Sequence, residues 1–350
     1  MKKRSLLTIS ILAVFTIFMN LFVSWKKIPV GISDSDIRQS VNKSFLILEK
    51  SGYVFTERSH QKCAGCHHTT LTSMVAASAR EKGIQVIDSF SDKRVEAMIR
   101  NLKFASNPNL IDQFLTVNFN APYTLLGLKA ENYPPGIITD ISVDYMISQA
   151  KPDGSFLTES GRVPLESGDI HCAAFTIRAI QLYASAAKKN HVDALVERTR
   201  HWLETQNPDQ QQEIVFQLLG MQWCGSSLDR KIPVAQKLLA MQHADGGWSQ
   251  LTTLGSDAYA TGQALYALCE SGMAKPSDEV YQKSISYLLK TQESTGAWYV
   301  QTRSFGIQPF FSSSFPPNDE SQFISAAATN WADLALLEAL PDKDKSRGSY

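Results

Sequence analysis

The sequence predicts an all-α protein assembled as an array of helix pairs, and three observations predict it. Long runs such as "CAAFTIRAIQLYA", "AYATGQALYALCE" and "ISAAATNWADLALLEAL" carry apolar residues at i, i+3, i+4 and i+7, the period of a helix with one buried face. A loop pattern recurs between such runs: Gln242 to Trp248 and Gln292 to Trp298 share the spacing Q-x3-G-x-W, Gln149 to Phe156 is a looser copy, and Gln206-Asn-Pro-Asp is a degenerate one. The glutamines stand 57, 36 and 50 residues apart, the spacing expected when helix pairs bury their apolar faces against one another.

The chain opens Met1-Lys2-Lys3-Arg4, and the 18 residues from Leu6 to Val23 carry no charge. That length is near the lower limit for a membrane-spanning helix and exceeds a usual signal-peptide core. Phe22-Val23-Ser24 offers no small-x-small cleavage site, so residues 1–30 are read as a signal anchor and its flank, with a cleaved signal as the alternative. The leading basic cluster keeps the N-terminus in the cytoplasm and places the bulk of the chain on the exported, periplasmic side of the inner membrane.

Lys and Arg number 34 and Asp and Glu 34, giving zero net charge and no basic stripe, which argues against a nucleic-acid partner. Five cysteines are odd in number and too sparse for a disulfide scaffold. Helical repeats are expected over residues 38–340, the first at 38–90, with loops near 149–156, 206–212, 242–248 and 292–298. About five helix pairs account for these loops. Pro134-Pro135-Gly136 and Pro316-Pro317 mark further loops, and 341–350 is a polar tail. In the repeat loops, Gly246 and Gly296 end helices in a conformation other residues resist. Trp248 and Trp298 plug the neighbouring pair, and Gln242 and Gln292 reach orphaned helix-end carbonyls.

"QKCAGCHHTT" carries the chemistry. Cys63-x-x-Cys66-His67 is the attachment pattern of c-type haem, with two thioethers to the porphyrin and the histidine on the iron. From 5 Cys and 7 His in 350 residues, chance produces such a match in about one sequence in 700. His68, His171 and His60 are candidates for a second iron ligand, and an open position is equally compatible. Zinc is the alternative cofactor, with Cys63, Cys66, His67 and His68 as donors and His171-Cys172 as a distant pair. Neighbouring side chains on a starting helix diverge by about 100°, which disfavours two adjacent histidines on one tetrahedral ion. A Cys63–Cys66 redox pair and inert helix-start thiols are the remaining readings.

The loops resemble the QW repeats of the squalene cyclase and protein prenyltransferase superfamily, over roughly residues 38–340. "GGWSQLTTLGSDAYATGQALYAL" and "QPFFSSSFPPNDESQFISAAATNWA" resemble segments of bacterial squalene-cyclase-like repeat proteins, and residues 41–83 resemble their N-terminal unit with its C-x-x-C-H-H. The resemblance implies an α/α toroid around a cavity that takes a hydrophobic isoprenoid or lipid ligand. Tyr259, Tyr266, Phe315, Phe323 and Trp331 are candidates to line it, with Phe310 and Phe311. Otherwise they are helix–helix core. It implies a redox partner if haem is attached, and alternatively a terpenoid cyclase or isomerase.

Neither inherited chemistry has its residues, however. The D-x-D-D acid cluster of squalene-hopene cyclases is absent, and Ala260 stands where the prenyltransferase zinc histidine is expected in Asp257-Ala-Tyr-Ala-Thr261. Asp257 is the candidate catalytic acid, weighed against a role as helix cap. Asp169 is expected to cap another helix, and Arg162 and Arg303 are candidates for the cavity mouth.

Overall fold

The computed structural model describes residues 31–59, 62–105, 117–158, 162–304 and 312–343. The expected anchor within 1–30, most of the polar tail, and the candidates His60, Phe310 and Phe311 lie outside the described residues. Among the described residues, no helix is long and apolar enough to cross a membrane.

Twelve α-helices account for the described fold: α1 Asp34–Arg58, α2 Leu71–Glu81, α3 Asp88–Ala105, α4 Val117–Ala130, α5 Ile137–Gln149, α6 Asp169–Tyr183, α7 Lys189–Thr205, α8 Gln211–Trp223, α9 Leu228–Leu239, α10 Ala258–Glu270, α11 Glu279–Thr291 and α12 Gln322–Glu338. The even-numbered helices form a closed ring. Each packs on the next, from α2 through α4, α6, α8 and α10 to α12, and α12 returns to α2. The odd-numbered helices lie outside them, so the architecture is an α/α toroid of six helix pairs.

Composition explains which helices go inside. In α12 every residue from Ile324 to Leu337 is buried, as an apolar helix enclosed on all sides must be. In α7 only Val192, Leu195, Thr199 and Leu203 are buried, a single stripe at helical spacing with solvent on the other faces. The sixth pair, absent from the sequence reading, is α3–α4. No Gly–Trp loop announces it, and Pro122 stands inside α4 where a proline usually breaks a helix.

The recurrent loops dock each pair onto an outer helix of the next. Gly246, at φ 92°, leaves no room for a side chain: a Cβ there would sit 2.6 Å from the Lys283 carbonyl oxygen on α11. Gly296, at φ 96°, meets the Lys43 carbonyl of α1 in the same way, at 2.8 Å, which closes the ring from the last pair onto the first. Gly154, at φ 89°, meets Thr199 of α7.

Roles within the loop differ from the expectation. The indoles, not the glutamines, reach the ends of the preceding helices: Trp248 Nε1 donates to the Leu238 carbonyl and Trp298 Nε1 to that of Leu288, each at 2.8 Å. Gln242 Nε2 instead donates to the Gly246 carbonyl at 3.1 Å and to Val280 of α11 at 2.9 Å, and Gln292 Nε2 to the Gly296 carbonyl and to Ser40 of α1.

Candidate functional site

Because outer and inner helices alternate along the chain, the N-termini of the inner helices gather at one end of the ring. The connections 150–168, 240–257 and 292–321 are long, whereas those at the opposite end, such as 131–136 and 224–227, are short. Chemistry on such scaffolds resides on the long loops. The cysteine motif lies at this end, between α1 and the ring.

Its geometry is held from both sides. Lys62 takes a left-handed turn (φ 55°) after α1. Asn101 of α3 then clips the first of the two residues between the cysteines: Ala64 N–H donates to Asn101 Oδ1 at 3.0 Å, and Asn101 Nδ2 donates to the Ala64 carbonyl at 2.9 Å. Gly65 is packed against the Phe55 ring, and Cys66–Thr70 forms one π-helical turn before α2 begins. A π turn re-aims side chains by changing the angular spacing, and such turns are frequent at functional sites.

The two histidines part company. His68 turns to the α12 side, where Nε2 lies 2.9 Å from Ser313 Oγ and the ring stacks on Phe55 at 4.9 Å. His67 turns to the ring interior, edge-on to Tyr123 of α4 at 5.4 Å. It is 6% exposed, yet neither Nδ1 nor Nε2 has a hydrogen-bond partner. His171 of α6 lies across Tyr123, its Nε2 3.1 Å from Tyr123 Oη and its ring stacked on Phe216 of α8 at 3.8 Å. Burial lowers all three imidazoles, His68 and His171 to about 3, so each is neutral at physiological pH.

Cys63 and Cys66 are free thiols, the first half-buried and the second 9% exposed. Burial raises both thiols, which keeps them protonated. Among the described residues, no three His, Cys, Asp or Glu side chains converge as a metal group. Cys172, the distant zinc candidate, faces Leu157 and Thr176 instead. The donor set suits a c-type haem on chemical grounds: two unbridged thiols three residues apart, followed by an imidazole whose ring nitrogens are unpartnered in a buried site. Of the candidate second ligands, His171 shares the Tyr123 neighbourhood with His67, and His68 does not.

Asp257 is the N-cap of α10. Its Oδ1 accepts from Ala260 N–H at 2.9 Å and Oδ2 from Gln250 Nε2 at 3.2 Å, while burial raises its carboxyl. Arg162 pairs with Glu166, and Arg303 Nε donates to Gln250 Oε1 at 2.9 Å, so neither side chain is unengaged. Asp169 is not the cap expected for α6, since its Oδ1 accepts from Thr158 N–H. Glu213 of α8 reaches over Gly168 to accept from Ile170 N–H at 3.2 Å, and burial pushes its carboxyl up to about 7.

Of the candidate lining residues, Trp331 faces the ring axis, 6.2 Å from Phe216 of α8 and 5.6 Å from Tyr266 of α10. Tyr259 is buried core, its hydroxyl donating to Gln212. Phe315 and Phe323 surround His68.

Sequence reasoning missed Asp333 of α12, fully buried, with Oδ1 accepting from Ser44 Oγ at 2.6 Å and Oδ2 unpartnered. Burial raises it well above the usual carboxylate range. Its signal was a lone acid inside "NWADLALL". It points outward to α1, away from the axis.

The closed double ring defines an α/α toroid of the terpene-cyclase type. Among solved structures, the type II terpene cyclase MstE from Scytonema has this fold: the apo enzyme is 11% identical over 87% of this chain and 99% of that one, at TM-score 0.52. A variant bound to its substrate geranylgeranyl dihydroxybenzoate matches at TM-score 0.54, and another bound to its product merosterolic acid A at 0.52, with the same identity and coverage. At that identity the likeness concerns the fold alone. No family model matches the chain, and no curated protein matches it in sequence.

Proposed function

We propose that this toroid carries a c-type haem on its first helix pair and receives a hydrophobic isoprenoid ligand within the ring. Cys63 and Cys66 would hold the group through thioethers, and His67 would supply an imidazole to its iron. Bound there, haem supplies one-electron redox chemistry or an iron that binds a small ligand. The observation that carries the reading is His67. An unpartnered polar atom in a buried site costs roughly 1–3 kcal/mol, and this ring has two beside a pair of free thiols.

The isoprenoid part is supported by the shared fold, whose solved members include one holding a geranylgeranyl compound, and by aromatic side chains converging on the axis. Covalent haem attachment occurs outside the cytoplasm, which agrees with residues 1–30 acting as a signal anchor for a periplasmic ring. A cyclase or isomerase reading rests on Asp257, whose carboxylate is already engaged as a cap.

The test is a pyridine haemochrome spectrum and intact mass of the full chain expressed with haem-maturation genes. A thioether-type spectrum and a mass of polypeptide plus one haem are expected, both lost in Cys63→Ala/Cys66→Ala. A colourless protein of bare-chain mass overturns the haem assignment.

A further inference from the structure

A second set of buried polar groups lies where α10 and α12 meet inside the ring, and its Asn330 reaches the backbone of the cysteine motif. Gly262 lets the two helices touch: a Cβ there would stand 2.5 Å from the Trp331 carbonyl carbon. Beside this contact, Gln263, Asn330 and Trp331 are all 0% exposed. Trp331 Nε1 and Asn330 Oδ1 have no hydrogen-bond partner, and neither polar atom of the Gln263 amide has one in good geometry, although the amide lies near the Tyr259 hydroxyl. Asn330 Nδ2 is engaged, donating to the His67 carbonyl at 2.8 Å and to its own helix at Ala326.

Folded interiors leave few such groups unmet, and three neighbouring side chains point to something that meets them. The set is uncharged. Asp333, two residues beyond Trp331, is turned the other way to Ser44, and in the long loops Arg162 pairs with Glu166 while Arg303 bonds to Gln250. The walls are flat. Trp331, Phe216 and Tyr266 present ring faces and edges to one another, and an indole can only donate.

We infer that the ring holds the neutral oxygen-bearing head of a prenylated quinone, with Trp331 and the Gln263 amide donating to its carbonyl oxygens. This deepens the isoprenoid reading and rests on it. A carbonyl takes hydrogen bonds from Trp331 and Gln263 without needing a countercharge. A reduced hydroxyl head is also accommodated, because Gln263 Oε1 is an acceptor. A diphosphate head would be desolvated here, and the described cations nearby are already engaged, Arg162 by Glu166, Arg303 by Gln250 and Arg178 by the Trp223 ring.

Isothermal titration of the full chain in lipid nanodiscs, blanked against empty discs, tests this with three probes of one ten-carbon prenyl tail. They are a benzoquinone, the oxygen-free hydrocarbon and the diphosphate. The quinone is expected to bind at least tenfold more tightly than either other probe. Trp331→Phe and, separately, Gln263→Leu should bring it down to the hydrocarbon's affinity and leave the hydrocarbon unchanged. Equal binding of quinone and hydrocarbon overturns the head assignment and leaves the isoprenoid reading standing. So does tighter binding of the diphosphate. Binding of none of the three overturns both.

Discussion

The loop that opens the ring and the two loops that close it occupy equivalent positions, between an outer helix and the inner helix that follows, yet they use their polar groups in opposite ways. In the closing loops the motif side chains are engaged: Gln242 and Gln292 bridge to the next outer helix, and the indoles of Trp248 and Trp298 cap the preceding one. In the opening loop, Asn101 fixes the backbone at Ala64, but the two thiols are unbridged, Cys63 Sγ donating to the Ala64 carbonyl at 3.4 Å, and His67 is left without a partner. A group buried against its own solvation preference and left unsatisfied is where function is to be sought. A fully bonded one is explained by the fold. The contrast can be broken by mutation.

The largest effect is expected at Trp248. Replacing it by Ala removes a fully buried indole and uncaps Leu238, which should cost about 4 kcal/mol, read as a lower midpoint in chemical denaturation. Gly246→Ala comes next. Its φ of 92° and the Lys283 oxygen 2.6 Å from the new Cβ should together cost about 2–3 kcal/mol. If either variant keeps the parent midpoint, the closing loops are not the staples that their bonding implies.

Acid should produce a smaller, graded effect at His68 and His171. His68 and His171 have folded values of about 3 against the ordinary histidine value of about 6.5. Between these values the unfolded chain binds a proton that the folded chain does not. The neutral imidazoles therefore stabilise fully above 6.5, and stability falls as pH drops toward 3. Each contributes a slope of about 1.4 kcal/mol per pH unit in that window. His68→Phe should remove one such slope from denaturation midpoints measured between pH 4 and 6. An unchanged slope would show that His68 is solvated.

How far this division could be read from the sequence depended on whether the signal was local. Gln, Gly and Trp at fixed spacing reported a repeated docking event, so the pairs bearing those loops were legible, as was the C-x-x-C-H-H anomaly in the first. The α3–α4 pair was not, because it lacks such a loop and Pro122 disguises α4. Nor did spacing reveal that α12 aims Trp331 at the axis and Asp333 at α1. Residues two apart on a helix lie about 200° apart, and only the neighbours decide which side is inside. Asn101 and Glu213 were invisible for a related reason. Each serves a residue in another pair, Ala64 and Ile170 respectively.

The smallest effect is the most diagnostic, and it is expected at His67. A staple loses stability when removed, whereas a group kept for a ligand has no intramolecular bond to lose. His67→Leu gives up an edge contact with Tyr123 but also relieves two unsatisfied nitrogens. In the polypeptide expressed without haem-maturation genes, its unfolding free energy should stay within about 1 kcal/mol of the parent, or rise. The same substitution in chain matured with haem should alter the axial-ligand region of the visible spectrum while both thioethers remain. A loss of several kcal/mol from the unmatured chain would instead place His67 with Trp248, as a residue the ring needs in order to close.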